Sequence, residues 1–158
     1  MQILRARPED AAMLTAIAFA AKRHWGYPEL WMRSWTHLLT IEPRTITEQE
    51  TYTAYLEGEA VGFHSLSRAL DRMSLEHLWV LPKAMRRGVG RALFVHTVER
   101  VRALGFETLE IESDPNAAGF YERMGARRVA TTVTELAGQR RELPVLVYEC
   151  GRAIREAG

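Results

Sequence analysis

The side chains best suited to chemistry crowd between Leu78 and Leu93, which read L-W-V-L-P-K-A-M-R-R-G-V-G-R-A-L. Leu78 to Leu81 is an apolar run that Pro82 must end, because proline has no N–H to give a strand ladder. Gly88 and Gly90 then leave the backbone bare where Val89, Ala92, Leu93, Phe94, Val98 and Val101 begin a helical apolar pattern. The first N–H groups of a helix lack intrahelical partners and carry the positive end of its dipole, so this turn suits an anion. Arg86, Arg87 and Arg91 add positive charge, which points to a phosphate or pyrophosphate. The same pattern also serves a plain turn with close helix packing and solvated arginines. A dinucleotide fingerprint is not met, since Leu93 stands where its third glycine belongs, and no Gly-Lys-Ser or Gly-Lys-Thr closes a phosphate-binding P-loop.

A second informative stretch runs from Ser113 to Ala126, S-D-P-N-A-A-G-F-Y-E-R-M-G-A. Its composition gives a strand end, an Asp-Pro turn, a cap at Asp114 or Asn116, a short helix and a glycine stop. The elements that must hold both stretches follow from periodicity. Ile3 to Ala6 reads as a strand, and Pro8-Glu9-Asp10 opens a helix that runs to about Lys22. Trp25-Gly26-Tyr27-Pro28 breaks it, and a second helix places Trp31, Trp35, Leu38 and Leu39 on one face. Thr51 to Leu56 and Ala60 to Leu66 form a hairpin, Met73 to Leu81 returns as the central strand, and a long helix ends near Gly105. Thr108 to Ser113, Val129 to Thr134 and Leu143 to Tyr148 complete the strands, the last two joined by a loop at Gly138-Gln139-Arg140-Arg141. A strand that follows a helical crossover runs parallel to the one before it, so a mixed sheet is expected.

The 158 residues suit one domain, residues 1–158, and no repeat or linker divides them. With 47% hydrophobic and 26% charged residues the chain is globular rather than disordered. Its net charge of +1 gives no general attraction to nucleic acid or membrane, so neither is expected as a partner. The single cysteine, Cys150, cannot make an internal disulfide and reads as a small buried residue at a strand end. It fits a reducing compartment, and the opening residues lack a signal-peptide pattern, so a cytoplasmic protein is expected. No metal is expected, because His24, His37, His64, His77 and His96 show no ligand spacing.

Met85-Arg86-Arg87-Gly88-Val89-Gly90 resembles the Q/R-x-x-G-x-G/A signature of the GNAT superfamily of acyl-CoA-dependent N-acyltransferases, with Met85 in place of the usual Gln or Arg. The segment from Asn116 through Phe120-Tyr121-Glu122 to Met124-Gly125 is similar to a second conserved segment of that family, at matching spacing and in the right order. The resemblance implies an α/β fold of the α+β, mixed-sheet kind. That fold is a single layer of about seven mostly antiparallel strands with helices on both faces, splayed between the fourth and fifth strands. It implies acetyl-CoA as co-substrate and acetyl transfer to a primary amine by direct attack in a ternary complex. Cofactor contacts would then fall on Leu78, Trp79 and Val80, on Arg86, Arg87, Gly88, Val89, Gly90 and Arg91, and on Asn116. In the family a bulge at the position of Leu78 to Val80 frees N–H groups for the pantetheine arm.

Transfer from a thioester to an amine needs a polarised carbonyl, a neutral amine and a proton for the departing thiolate. Tyr121 matches the family's general-acid tyrosine. Glu76 is the first choice as base, acting through water, since it lies two residues from Leu78 and so on the same strand face. His77 points to the opposite face and reads as structural, with His64 and Glu112 in reserve. Trp31 and Trp35 read as core, which leaves Trp25 and Tyr27, at the helix break, as candidate acceptor contacts. The acceptor, a small molecule or a protein N-terminus or lysine, stays open, as do a different acyl-CoA and a non-catalytic CoA-binding regulatory module. The family's habit of pairing through C-terminal strands implies a homodimer through Leu143 to Cys150.

Overall fold

The computed structural model describes residues 1–151; the remainder of the expected 1–158 domain, residues 152–158, lies outside the described residues. Seven strands form one sheet: β1 (Gln2–Arg5), β2 (Glu50–Leu56), β3 (Glu59–Arg68), β4 (Met73–Val80), β5 (Thr108–Glu112), β6 (Arg127–Leu136) and β7 (Gln139–Glu149). Their order is β1-β2-β3-β4-β5-β7-β6. Every neighbouring pair is antiparallel except β4 and β5, as the helical crossover between them requires.

That crossover is α5 (Val89–Ala103), whose buried Val89, Leu93, Phe94, Val98 and Val101 pack on one face of the sheet with Leu66, Met73, Leu75 and Leu78. The other face is covered by α1 (Ala11–Arg23), α2 (Glu29–Ser34), α3 (Thr36–Leu39) and α4 (Pro43–Glu48), gathered on Phe63 and Trp79. The short α6 (Ala118–Arg123) follows β5. At Gly62 of β3 the neighbouring strand and α5 both come close. A Cβ there would lie 2.7 Å from the Trp79 carbonyl oxygen and 3.1 Å from a Leu93 methyl, so only glycine allows this approach.

β4 pairs with β5 only at Met73↔Leu109 and Ser74↔Glu110, and beyond Ser74 the two strands diverge. This opening, rather than a bulge, frees backbone along the second half of β4. The expected bulge at Leu78 to Val80 is absent: His64↔Leu78, Phe63↔Trp79 and Gly62↔Val80 run in unbroken register. The slip lies lower, where Ser65 faces His77 but Leu66 faces Leu75, so that Glu76 is the extra residue. A one-residue insertion resets the alternation, and Leu75 and Leu78 therefore both reach the α5 side. Glu76 consequently does not share a face with Leu78, contrary to the simple alternation. Leu81 donates its N–H to Val61 (2.8 Å), so Trp79 also turns its polar groups toward β3, and those of Leu78 and Val80 face the gap.

Three other expectations change. The second helix breaks at Trp35 (φ −91°, ψ 0°) into α2 and α3, which buries Leu39 but leaves Leu38 exposed. Pro43 starts the unforeseen α4 by fixing φ at its first position. Gln139, Arg140 and Arg141 belong to β7 rather than a loop, because Ala137 and Gly138, both at positive φ, complete the reversal by themselves. As for pairing between copies, β7 lies between β5, which pairs with its residues 145–149, and β6, which pairs with its residues 139–147; the outermost strands of the described sheet are β1 and β6.

Candidate active site

The divergence of β4 from β5 opens a cavity of about 400 Å³. One end is the turn before α5. Arg86 (φ 63°) and Gly88 (φ 81°) both adopt left-handed backbone there, and for a non-glycine this conformation costs about 1–3 kcal/mol. Such a turn aims successive N–H groups into one concavity. Ala92 is bonded to the Gly88 carbonyl, so the amides of Val89, Gly90 and Arg91 precede the helical ladder. A Cβ on Gly88 would meet nothing within 4 Å, whereas one on Gly90 would stand 3.6 Å from the Phe120 ring and 3.9 Å from Val80, across the cavity. Arg86 and Arg91 line this end with Arg123 of α6, and none of the three is held in an ion pair with a described carboxylate. The constellation fits a pyrophosphate, with Leu78 and Val80 offering free amides along the adjoining wall.

Tyr121 lines the same cavity. It is 6% exposed and packed against Phe94 and Phe120, and its hydroxyl makes no hydrogen bond to the described residues. Burial pushes its phenol well above the ordinary value, and the Asp114 carboxylate adds to the effect, so it stays protonated at neutral pH.

Beyond Tyr121 lies a polar network built on a loop that β5 feeds. Asp114 accepts from Lys22 Nζ (2.5 Å), from the Asn116 backbone N–H (2.8 Å) and from the Tyr27 hydroxyl (2.8 Å). Burial alone would raise this carboxyl, but the Lys22 hydrogen bond and charge, helped by Asn116 and Tyr27, bring it below the ordinary aspartate value. Burial lowers Lys22 in spite of its partner. The Tyr27 hydroxyl also accepts from Asn116 Nδ2 (2.9 Å) and Arg141 Nη2 (3.3 Å), and its phenol is pushed up to about 12, first by burial and then by the bond to Asp114.

The structure thus brings Trp25, Leu78, Trp79, Val80, Arg86, Gly88, Gly90, Arg91, Asn116 and Tyr121 to one cavity. It leaves others out. Arg87 is exposed beside the lining, and the Val89 side chain is core (1% exposed), so only its amide faces the turn. Tyr27 sits behind Asp114 and Asn116 rather than in the wall. Glu76 is exposed away from the cavity and accepts a hydrogen bond from Ser67. Glu112 is exposed and bonded to Thr132, and His64 is buried against His96 (2.9 Å) under α5. His77 accepts from the Trp79 indole (3.0 Å), which orients that cavity residue; burial holds the imidazole down at about 4, so it is neutral. The sequence marked Asp114 only as a candidate cap and gave Lys22 and Arg141 no part in a site. A lysine one turn after Ala18 on the buried stripe of α1 was the available signal, since a cation there needs a partner. Among the described residues no group of three or more His, Cys, Asp or Glu could hold a metal, and no helix is long and apolar enough to cross a membrane.

Residues 13–126 match the model of the acetyltransferase (GNAT) family, and the chain belongs to that family. None of the proteins of curated function matches the sequence. Solved structures share the fold. A GCN5-related N-acetyltransferase from Rhodopseudomonas palustris superposes with a TM-score of 0.77 at 24% identity, over 94% of each chain. The PaiA N-acetyltransferase of Thermoplasma acidophilum in complex with coenzyme A gives 0.79 at 16% identity, over 94% of this chain and 98% of that one. The ribosomal-protein-S18-alanine N-acetyltransferase of Escherichia coli gives 0.72 at 20%, over 96% and 95%.

Proposed function

We propose that the protein transfers an acetyl group from acetyl-CoA to a primary amine by direct attack in a ternary complex. One observation carries the reading: a single cavity joins the bare amino end of α5 to the unbonded hydroxyl of a protonated, buried tyrosine. The CoA pyrophosphate would rest on the amides of Val89, Gly90 and Arg91, with Arg86, Arg91 and Arg123 beside it. Its pantetheine arm would lie along β4 as an added strand, on the free polar groups of Leu78 and Val80. Met85, where relatives carry Gln or Arg, lines the cavity without charge, and the neighbouring arginines supply it instead.

The thioester supplies an activated acyl group. Amides at the splay polarise its carbonyl as negative charge develops on the oxygen. The amine nitrogen attacks the carbonyl carbon, the C–S bond breaks, and Tyr121 gives its proton to the departing sulfur. The amine's own proton must leave through water. Glu76 is not part of the lining, so its proposed role as base depends on a water chain. Support for the transferase class, rather than a silent CoA-binding module, comes from Tyr121 keeping both its proton and an open hydroxyl.

Calorimetric titration with acetyl-CoA tests the binding half, with Arg86→Glu and Gly90→Leu as variants. Binding to the wild type that weakens at least tenfold in both variants is expected; equal affinity in all three proteins would remove the pyrophosphate from this turn.

A further inference from the structure

We infer that the acceptor is an amine that also carries a carboxylate and an apolar side group, and that Arg141 binds the carboxylate; the inference rests on the acetyl-transfer reading above. Among the described residues only three arginines are not exposed: Arg72, Arg100 and Arg141. The first two are matched by carboxylates, Arg72 by Glu110 at 2.6 Å and Arg100 by Glu50 at 3.0 Å. Arg141 has none. Asp114, the acidic group of this network, is already taken by Lys22 at 2.5 Å. The two cations and one carboxylate leave an excess positive charge behind the cavity wall at Asp114, beside a lining that Lys22, Tyr27 and Arg141 do not themselves join.

Arg141 is also held in a fixed pose. Its guanidinium carbon lies 5.4 Å from the Tyr27 ring centre, 5.4 Å from Trp31 and 5.1 Å from Trp35. Three aromatic walls and one bond to the Tyr27 hydroxyl use a single N–H of the five that a guanidinium carries. The remaining fork is preorganised for a planar, bidentate anion, which in the half-buried site is a carboxylate's geometry. Arg141 lies outside the cavity lining, but Tyr27 joins it to Asp114 and Asn116, which belong to that lining with Tyr121, so an acceptor held on Arg141 would reach past these two residues toward Tyr121. The aromatic walls favour an apolar side group. A polyamine meets the same excess positive charge as repulsion, and the amino terminus of a peptide has no carboxylate on its own α-carbon.

Two readouts separate the parts of this reading. The first is tryptophan fluorescence during titration with 3-phenylpropanoate and with 3-phenylpropanamide, which need no transfer chemistry. The carboxylate is expected to bind about tenfold to a hundredfold more tightly than the amide, and Arg141→Gln to abolish that preference. Equal binding of the two, or an unchanged preference in Arg141→Gln, overturns the assignment. Arg141→Lys keeps charge but loses the fork and should fall between; unchanged melting temperature and acetyl-CoA affinity show that both variants are folded. The second readout is acetyl-CoA-dependent thiol release with phenylalanine, leucine and methionine against their carboxamides. Lower KM for the acids, lost in Arg141→Gln, is expected. Release with the carboxamides alone overturns the acceptor class, as does no release with any of the six compounds; no release with a mixed panel of amines, peptides and proteins either overturns the transfer reading, and the fluorescence pair then judges Arg141 separately.

Discussion

At the scale of single residues, the cleft divides into groups that must be neutral and groups that must be charged. Tyr121 belongs to the first kind, since its hydroxyl faces the cavity and its proton is retained by burial. Tyr121→Phe is expected to lower kcat by about 100-fold or more while leaving acetyl-CoA affinity within a factor of two. Full turnover in that variant would reject the general-acid role. Asp114 belongs to the second kind. Its side chain and that of Lys22 are 8% and 10% exposed, so Asp114→Ala strands a buried ammonium and should cost about 3–5 kcal/mol, read from the midpoint of urea unfolding. The pair itself was not legible beforehand. Asp114 looked like a turn cap, and nothing local reveals that a lysine 92 positions earlier closes on it.

At the scale of elements, two features set the site: the close contact of α5 with β3, and the parting of β4 from β5. Gly62→Ala is expected to destabilise by about 1–3 kcal/mol, because the added methyl meets a backbone carbonyl at 2.7 Å that cannot move aside. A loss below a few tenths of a kcal/mol would mean that the Trp79 carbonyl of β4 can move aside after all. The strands and α5 could be read from alternation and helical periodicity, since each buries one regular face. The family motifs marked the turn, the splay and Tyr121. What escaped was irregular: the insertion at Glu76, which turned a correct strand into a wrong face, and the break at Trp35, where three aromatic residues pack by tertiary contact rather than by one helical stripe.

For the whole molecule, histidines that the fold keeps neutral contribute to the loss of stability on the acid side, beside the paired carboxylate of Asp114. Burial drives His64 down to about 3, with the neighbouring His96 and Arg100 adding to it, and burial drives His77 down to about 4. Unfolded, each titrates near pH 6.5. Between those limits the unfolded chain binds more protons, so stability rises with pH from about 3 to 6.5 and is flat with respect to these groups above that range. The urea midpoint should therefore fall steadily as pH drops below 6.5, and His77→Asn should flatten part of that slope. A midpoint independent of pH from 4 to 7 would contradict the buried, neutral assignment.

The hydroxyl of Tyr27 ties together residues 87, 89 and 114 positions away along the chain, whereas the turn before α5 is closed by neighbours. Long loops must close before such remote contacts contribute, so the network and the turn have different histories during folding. The turn before α5 can form with its helix, while the Tyr27 network waits for β7 to add to the sheet. Tyr27→Phe should then speed unfolding and leave the refolding rate nearly unchanged, making the network behind the cavity wall the last part to assemble and the first to come apart.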